Sequence, residues 1–357
     1  MEKNCRLGMP DRKPQSIVRS ITKKFEAGRM KLGLASFFSG IGGFDLGFSR
    51  AGFQINSQCE IDPFCNAILK KHWPDVARFE DIKRMAYADV VVSEVWAGGF
   101  PCQDVSLARM GPRAGLKGKK SGLFFEFMRL VDAGRPRVLL IENVPGLLSS
   151  HGGRDFQVVI RTLAEFGYGV GWRVLNSKYF GVPQSRQRIY IVGCYRDRQG
   201  PGSILFEPEC RQRNDEEGGS NGQKTLSPFK ESFGNAIKGP IVQGLAYCLY
   251  ACSARHTGTD WSRNYVIYPK GRVRRLMPVE CERLQGFPEG WTVPEQGYED
   301  VEKLDSLRYT AVGNAVTVPV AEWIARRIKN YIVSQSRSER LRTAPEADDR
   351  VVAGVAP

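Results

Sequence analysis

A few short segments of this 357-residue chain carry side chains that could do chemistry, and the sharpest is Gly98-Gly99-Phe100-Pro101-Cys102-Gln103. A thiolate is a strong nucleophile, and a nearby cation or helix N-terminus lowers the pKa of its thiol. Most free cysteines are small buried hydrophobes. That reading suits Cys5, Cys59, Cys65, Cys194, Cys210, Cys248, Cys252 and Cys281. Cys102 differs, because Pro101 holds it on a constrained loop just after an apolar run. Glu142-Asn143-Val144-Pro145 directly follows the apolar run Val138–Ile141. A carboxylate at the tip of a buried strand is costly unless it is paired or protonated. Glu142 therefore reads either as an acid of raised pKa beside Cys102 or as an ion-paired or capping residue. In Gln184-Ser185-Arg186-Gln187-Arg188 the arginines stand two apart, and on an extended segment they point the same way. Arg186 and Arg188 could hold an anionic or carbonyl-bearing ligand in a fixed fork; a solvated basic edge is the other reading.

The remaining segment, Phe37-Phe38-Ser39-Gly40-Ile41-Gly42-Gly43, follows a strand and opens a helix. Glycines there let the backbone turn tightly and approach a ligand. Glu60 ends the next strand, where a carboxylate can accept the ribose hydroxyls of a nucleoside cofactor, and Asp81 could reach an adenine edge. A purely structural turn has the same glycines. The order strand, turn, helix, strand, acid does not choose between NAD and S-adenosylmethionine.

The elements that must position these groups are legible as apolar rhythm. Strands are predicted at Lys31–Phe38, Phe53–Cys59, Asp89–Val95, Val138–Ile141 and Ile189–Val192, with helices from about Phe44, at Gly122–Val131 and at Arg154–Phe166. Such alternation implies an α/β fold, a parallel sheet covered by helices on both faces. The rhythm breaks after Cys194. From about Asp197 to Gly271 the chain is rich in Gly, Pro, Ser, Asn and charge, and reads as a smaller, loop-rich domain. Regular patterning returns at Val279–Gln285 and in a terminal helix, Val320–Ile332, whose Trp323, Ile324, Ile328 and Ile332 recur at helical spacing. Residues 1–30 read as a basic arm, and the polar stretch at 333–357 as a disordered tail.

A formal charge of +14 makes nucleic acid the leading partner, with a solvated basic surface as the bland alternative. No run of about 18 apolar residues suggests a membrane span, and the basic N-terminus has no apolar stretch of the kind a signal peptide needs. The nine cysteines form no dense disulfide framework and no zinc spacing, and only three histidines are present. A reducing cytoplasm and no metal are expected.

Taken together, these segments resemble the cytosine carbon-5 DNA methyltransferase family of the bacterial and phage type, over roughly residues 31–332. The matching motifs are FFSGIGGFDLGF, CEID, FEDI, GGFPCQDVS, SGLFFEFMR, IENVPGLL, QSRQRIYIVG, RRLMPVECERLQGFP and VGNAVTVPV, in the family's order. The resemblance implies a Rossmann-like, S-adenosylmethionine-dependent fold. It places a catalytic and cofactor domain at 31–193, a target-recognition domain at 194–305, and a segment at 306–332 that returns to the catalytic domain. It implies that Phe38 stacks on adenine, that Gly40, Gly42 and Gly43 shape the pocket, and that Glu60 with Ile61 binds the ribose side. Asp81 and Ile82 would touch the adenine. Asn314 would lie near the cofactor, and Pro101 would place the nucleophile Cys102. Glu142 would contact the target base, and Arg188, helped by Arg186, would hold its carbonyl side.

The implied substrate is double-stranded DNA, with the target base flipped out and the enzyme acting as a monomer. A cognate restriction endonuclease acting on the same site is left open. A transfer-RNA methyltransferase of the same superfamily is the near alternative, but the Cys-Phe-Thr segment of those enzymes is missing. A catalytically silent DNA-binding relative is another, and the intact Cys102, Glu142 and Arg188 argue against it. An NAD-dependent dehydrogenase would leave Cys102, Glu142 and the arginines unexplained. Two departures from the family pattern stand out: Ser36 where Asp is usual, which is expected to weaken cofactor binding, and Met277 where Thr is common.

Overall fold

Parallel strands frame the chain: β1 (Gly33–Phe37), β2 (Gln54–Cys59), β3 (Ala77–Phe79), β4 (Val95–Gly98) and β5 (Val138–Asn143). The computed structural model describes residues 32–101, 122–207, 241–242, 246–249, 265–268, 273–297 and 299–343. Two more strands, β6 (Tyr168–Asn176) and β8 (Gln187–Tyr195), complete a seven-stranded sheet of order β3-β2-β1-β4-β5-β8-β6, with β8 antiparallel to both β5 and β6. The sheet is therefore mainly rather than wholly parallel. Every residue of β1 is buried, as are Val138 to Ile141 of β5, because a sheet covered on both faces must be apolar throughout.

Helices supply that cover. Helix α1 (Gly43–Arg50) follows the glycine turn. Helix α2 (Pro63–His72) starts with proline at its first turn and is capped by the Asp62 carboxylate, which accepts the Cys65 N–H at 2.9 Å. Helix α3 (Leu123–Gly134) buries Phe124, Phe127, Met128, Leu130 and Val131, and Phe127 meets Phe37 of β1 edge-on at 5.0 Å. Helix α4 (Arg154–Glu165) adds Val159 and Leu163 to the same core. Helix α5 (Gly200–Leu205) packs on β6.

Past α5 the described pieces are short. Strand β7 (Gln184–Ser185) pairs with β10 (Ala246–Tyr247), and β9 (Ile241–Val242), β11 (Tyr265–Ile267) and β12 (Val273–Arg275) form a small sheet. Helices α6 (Pro278–Gln285), α7 (Val301–Asn314) and α8 (Val318–Thr343) follow. By internal contacts, residues 32–331 form one compact unit. The described helical stretch from 332 to 343 falls outside that unit. The predicted N-terminal arm at 1–30 lies outside the described residues.

Several sequence-based expectations need correction. The strand expected at Asp89–Val95 is displaced. Residues Tyr87–Asp89 form a single 3₁₀ turn, Val92 is 63% exposed, and the strand is Val95–Gly98. A valine run matches strand propensity, but the sheet selected the next four residues, which fill the space between β1 and β5. The disordered tail expected from residue 333 is helical through Thr343. Its Leu, Arg and Glu are good helix formers, and the Ser336 and Ser338 hydroxyls donate back to the carbonyls of Ile332 and Ser334, as helical serines can. Neither α7 nor β6 was singled out from the sequence.

Candidate active site

Sheet register brings the chemistry together. Phe37 stands level with Cys59 and Gly98, Cys59 with Phe79, and Gly98 with Ile141. The residues that follow these positions emerge side by side at the carboxyl edge: Phe38, Glu60, Glu80-Asp81, Gly99 and Glu142. Open parallel sheets bind ligands at this edge.

The first half of the site is built around the glycine turn. Gly40 and Gly42 have φ of 54° and 85°, and Phe38 itself is left-handed at 52°. A side chain at Gly42 would strike the Trp73 ring, with 2.5 Å to the nearest atom, whereas a Cβ at Gly40 meets nothing within 4 Å. Gly43 lies against the backbone of Val316, which brings the segment after Asn314 to the turn. Both Glu60 oxygens are aimed by backbone: Oε2 accepts the Gly40 N–H at 2.7 Å and Oε1 the Asp62 N–H at 2.9 Å. Burial pushes the Glu60 carboxyl above its ordinary pKa, against those hydrogen bonds. Ile61 next to it is 71% exposed, an apolar side chain left open at the site. Asp81 accepts the Lys83 N–H, Ile82 is buried, and Arg129 donates to the Ile82 carbonyl at 3.1 Å. An open turn over Gly40, an oriented carboxylate and uncovered apolar surface fit an adenosyl group.

The second half centres on Glu142. Its Oε1 lies 3.0 Å from the Arg188 Nε, and both side chains are largely withdrawn from water. Burial raises the Glu142 pKa, while Arg188 and then Arg186 oppose it. A side chain at Gly99 would come within 3.0 Å of Glu142 Oε2, so the Gly98-Gly99 turn runs directly beside the carboxylate. Pro101 is half-buried; Cys102 lies outside the described residues.

Arg186 and Arg188 do point to one side, since both guanidinium groups reach the Cys248 sulfur, at 3.5 and 3.9 Å. They do not form the expected fork. Arg186 is buried and donates to the carbonyls of Leu249, Gly313 and Ala315. It ties the segment at Leu249 and the end of α7 to the central sheet, while Arg188 alone faces Glu142. Asn314, exposed at the end of α7, is placed by these same bonds.

Sequence reasoning missed several of the residues that hold this site. Gln184 donates to Leu284 O and accepts the Leu249 N–H. Gln285 donates to Val312 O and accepts the Thr317 hydroxyl. Trp291 donates its indole N–H to Ile41 O of the glycine turn at 2.8 Å and stacks on His72 at 3.5 Å. Both glutamines stand inside motifs already quoted; Trp291 had no signal beyond its type. Ser36, the departure from the family pattern, is buried and donates to Asp45 at 3.0 Å, so a carboxylate does stand behind the turn, carried by α1 instead of β1.

This fold and site define a Rossmann-like, S-adenosylmethionine-dependent methyltransferase. The C-5 cytosine-specific DNA methylase family matches residues 32–223 and 211–330, and the chain belongs to that family, whose members methylate carbon 5 of cytosine in DNA. Type II methyltransferase M.NgoBI of Neisseria gonorrhoeae is 33% identical over 307 residues, covering 80% of this chain and 89% of its own. Type II methyltransferase M.Bsp6I of Bacillus sp. is 30% identical over 327 residues, covering 83% and 98%. Among solved structures, a methyltransferase of Entamoeba histolytica shares the fold at TM-score 0.57 and 18% identity, covering 86% of this chain and 99% of its own. The Dnmt2 methyltransferase of S. pombe does so at 0.58 and 18%, covering 87% and 99%.

Proposed function

We propose that this DNA cytosine-5 methyltransferase acts on a base flipped out of double-stranded DNA within one recognised sequence, through a covalent adduct on Cys102. The observation that carries the reading is the Glu142–Arg188 pair at 3.0 Å, set beside the turn that leads into Pro101-Cys102.

Carbon 5 of cytosine is too weak a nucleophile to take a methyl group unaided. The Cys102 thiolate adds to carbon 6, and the displaced ring electrons make an enamine that is nucleophilic at carbon 5. Glu142 meets ring nitrogen 3 with a proton or hydrogen bond, and burial favours that protonated form. Arg188 holds Glu142 in place and faces the carbonyl side of the base. S-adenosylmethionine, when bound, supplies the methyl group on a sulfonium. Loss of the carbon 5 proton to a base then lets the ring expel Cys102 as thiolate, which restores aromaticity.

In this reading Phe38, Gly40, Gly42, Gly43, Glu60, Ile61, Asp81, Ile82, Pro101 and Asn314 hold the cofactor. Residues 31–193 are the catalytic domain, 194–305 the recognition domain, and 306–332 the returning segment. Arg255, His256, Arg263 and Asn264, which could read base edges, lie outside the described residues; Tyr247 on β10 is exposed. The enzyme works as a monomer in the cytoplasm, and a restriction endonuclease for the same site is left open. The relatives' Type II methyltransferase names and the +14 charge support DNA as the substrate. No described helix is long and apolar enough to cross a membrane.

Bisulfite sequencing of DNA from cells expressing the chain tests the reading. Protected cytosines should fall in one short word and vanish with Cys102→Ser. Methylated transfer RNA with unmodified DNA would overturn it.

A further inference from the structure

Behind the glycine turn lies a carboxylate that this chemistry does not use. Asp45, in the first turn of α1, is fully buried. Its Oδ2 accepts the Ser36 hydroxyl at 3.0 Å and its Oδ1 the Gln58 amide at 2.9 Å. Ser36 Oγ is also 3.0 Å from Ser39 Oγ, the residue between Phe38 and Gly40. The hydrogen-bonded chain therefore leads from the carboxylate into the turn itself. Among the described residues no cation is paired with Asp45. Arg78 reaches only the far side of Gln58, at 3.4 Å from its Oε1. A buried anion held by neutral donors and a helix N-terminus keeps an outward field, because neutral dipoles do not cancel its charge.

The two ligands of such a site differ in that field. The methyl donor is a sulfonium cation at sulfur; its demethylated product is a neutral thioether, and the remaining groups are shared. We propose that Asp45 is a specificity residue that makes the site favour the cationic methyl donor over its neutral product. The inference rests on the cofactor site assigned to the Phe38–Gly43 turn. It gives turnover a direction, since removing the methyl group removes the attraction and loosens the product.

The field can also be titrated. Burial raises the Asp45 carboxyl to about 6, against the hydrogen bonds from Gln58 and Ser36. The ionisable groups on the strands beside it are Cys59, pushed up to about 12 by burial, Glu60 and Arg78, and helix α8, packed on α1 near Gly47, carries Glu322 paired with Arg326. Burial raises Glu60 too, and its charge also acts on the sulfonium, so only a change made at Asp45 isolates the part of the ratio that Asp45 carries.

The test is calorimetry on the full chain without DNA, with S-adenosylmethionine and S-adenosylhomocysteine, from pH 5 to pH 8. In the native protein the ratio of product Kd to donor Kd should rise about tenfold as pH climbs through the Asp45 transition, as expected for one charge interacting inside a protein. Asp45→Asn should remove most of that rise, leaving only the part that Glu60 contributes. If that variant does not fold, Ser36→Ala removes one hydrogen bond that lowers the Asp45 pKa and should move the midpoint of the ratio to higher pH; an unmoved midpoint overturns the role of Asp45. A ratio independent of pH in the native protein, or unchanged in the variant, overturns the role of Asp45 while leaving the cofactor site standing. Failure of both ligands to bind removes the site, and this proposal with it.

Discussion

Arg188 Nε and Glu142 Oε1 meet at 3.0 Å across the join between β8 and β5, Arg188 standing two residues along β8 from Tyr190, the register partner of Glu142. Both side chains are shielded, so salt screens the pair little. Glu142→Gln keeps the shape and a hydrogen bond but cannot deliver a proton. The single-turnover methyl-transfer rate should fall about 10²- to 10⁴-fold, the usual scale for a lost general acid, with DNA affinity within a few-fold. Quenched-flow transfer of tritiated methyl groups reads the rate. Normal turnover with lost DNA binding would move Glu142 from chemistry to recognition.

The two arginines should separate by phenotype. Arg186→Ala removes the guanidinium that donates to the carbonyls of Leu249, Gly313 and Ala315, of which Ala315 keeps a second donor in Gln285, and should destabilise the fold by about 3–5 kcal/mol. Arg188→Ala unpairs Glu142, but that carboxyl, already pushed up by burial, can take a proton instead, so activity should fall by more than stability. Urea unfolding beside initial rates distinguishes them; equal stability losses would show that both are structural.

Phe38→Ala should weaken S-adenosylhomocysteine binding by about 1–2 kcal/mol, the scale of a lost aromatic contact. Titration calorimetry measures it, and an unchanged Kd would place the adenine elsewhere.

Met277 caps α6 without a side-chain acceptor, although Glu280 already accepts the Met277 N–H at 2.6 Å. Met277→Thr would complete a reciprocal capping box and should stabilise the protein by about 0.5–1 kcal/mol. A urea midpoint that stays or falls would show that the half-exposed Met277 side chain contributes more by packing.

Asp45 carries a pH signature of its own in the ligand-free protein. Its folded pKa is raised, to about 6 from 3.8, so the native state binds the proton more tightly than the unfolded chain. Its contribution is most favourable at low pH and is lost as pH rises through that window, by about 3 kcal/mol on the usual linkage. The advantage of Asp45→Asn over the native protein should therefore grow between about pH 4 and 6 and level off above. Denaturant melts of both proteins give the difference, in which groups common to both cancel. A difference that is flat with pH would contradict the raised pKa.

The sequence by itself determined the strand-turn-helix start, the acid at Glu60, the acid at Glu142 and the order of the motifs. These depend on residue type and near neighbours: glycine where φ is positive, carboxylates just past apolar runs. Tertiary structure decided what depends on distant partners. It placed the fourth strand at Val95–Gly98, because register against β1 and β5 outweighs the propensity of a valine run. It divided the roles of Arg186 and Arg188, which look alike in sequence, through carbonyls as far away as Gly313 and Ala315. It set Trp291 on the Ile41 carbonyl and Asp45 behind the glycine turn. A hydrogen bond or a buried charge acquires its meaning from what folding brings against it, and one-dimensional spacing does not record that.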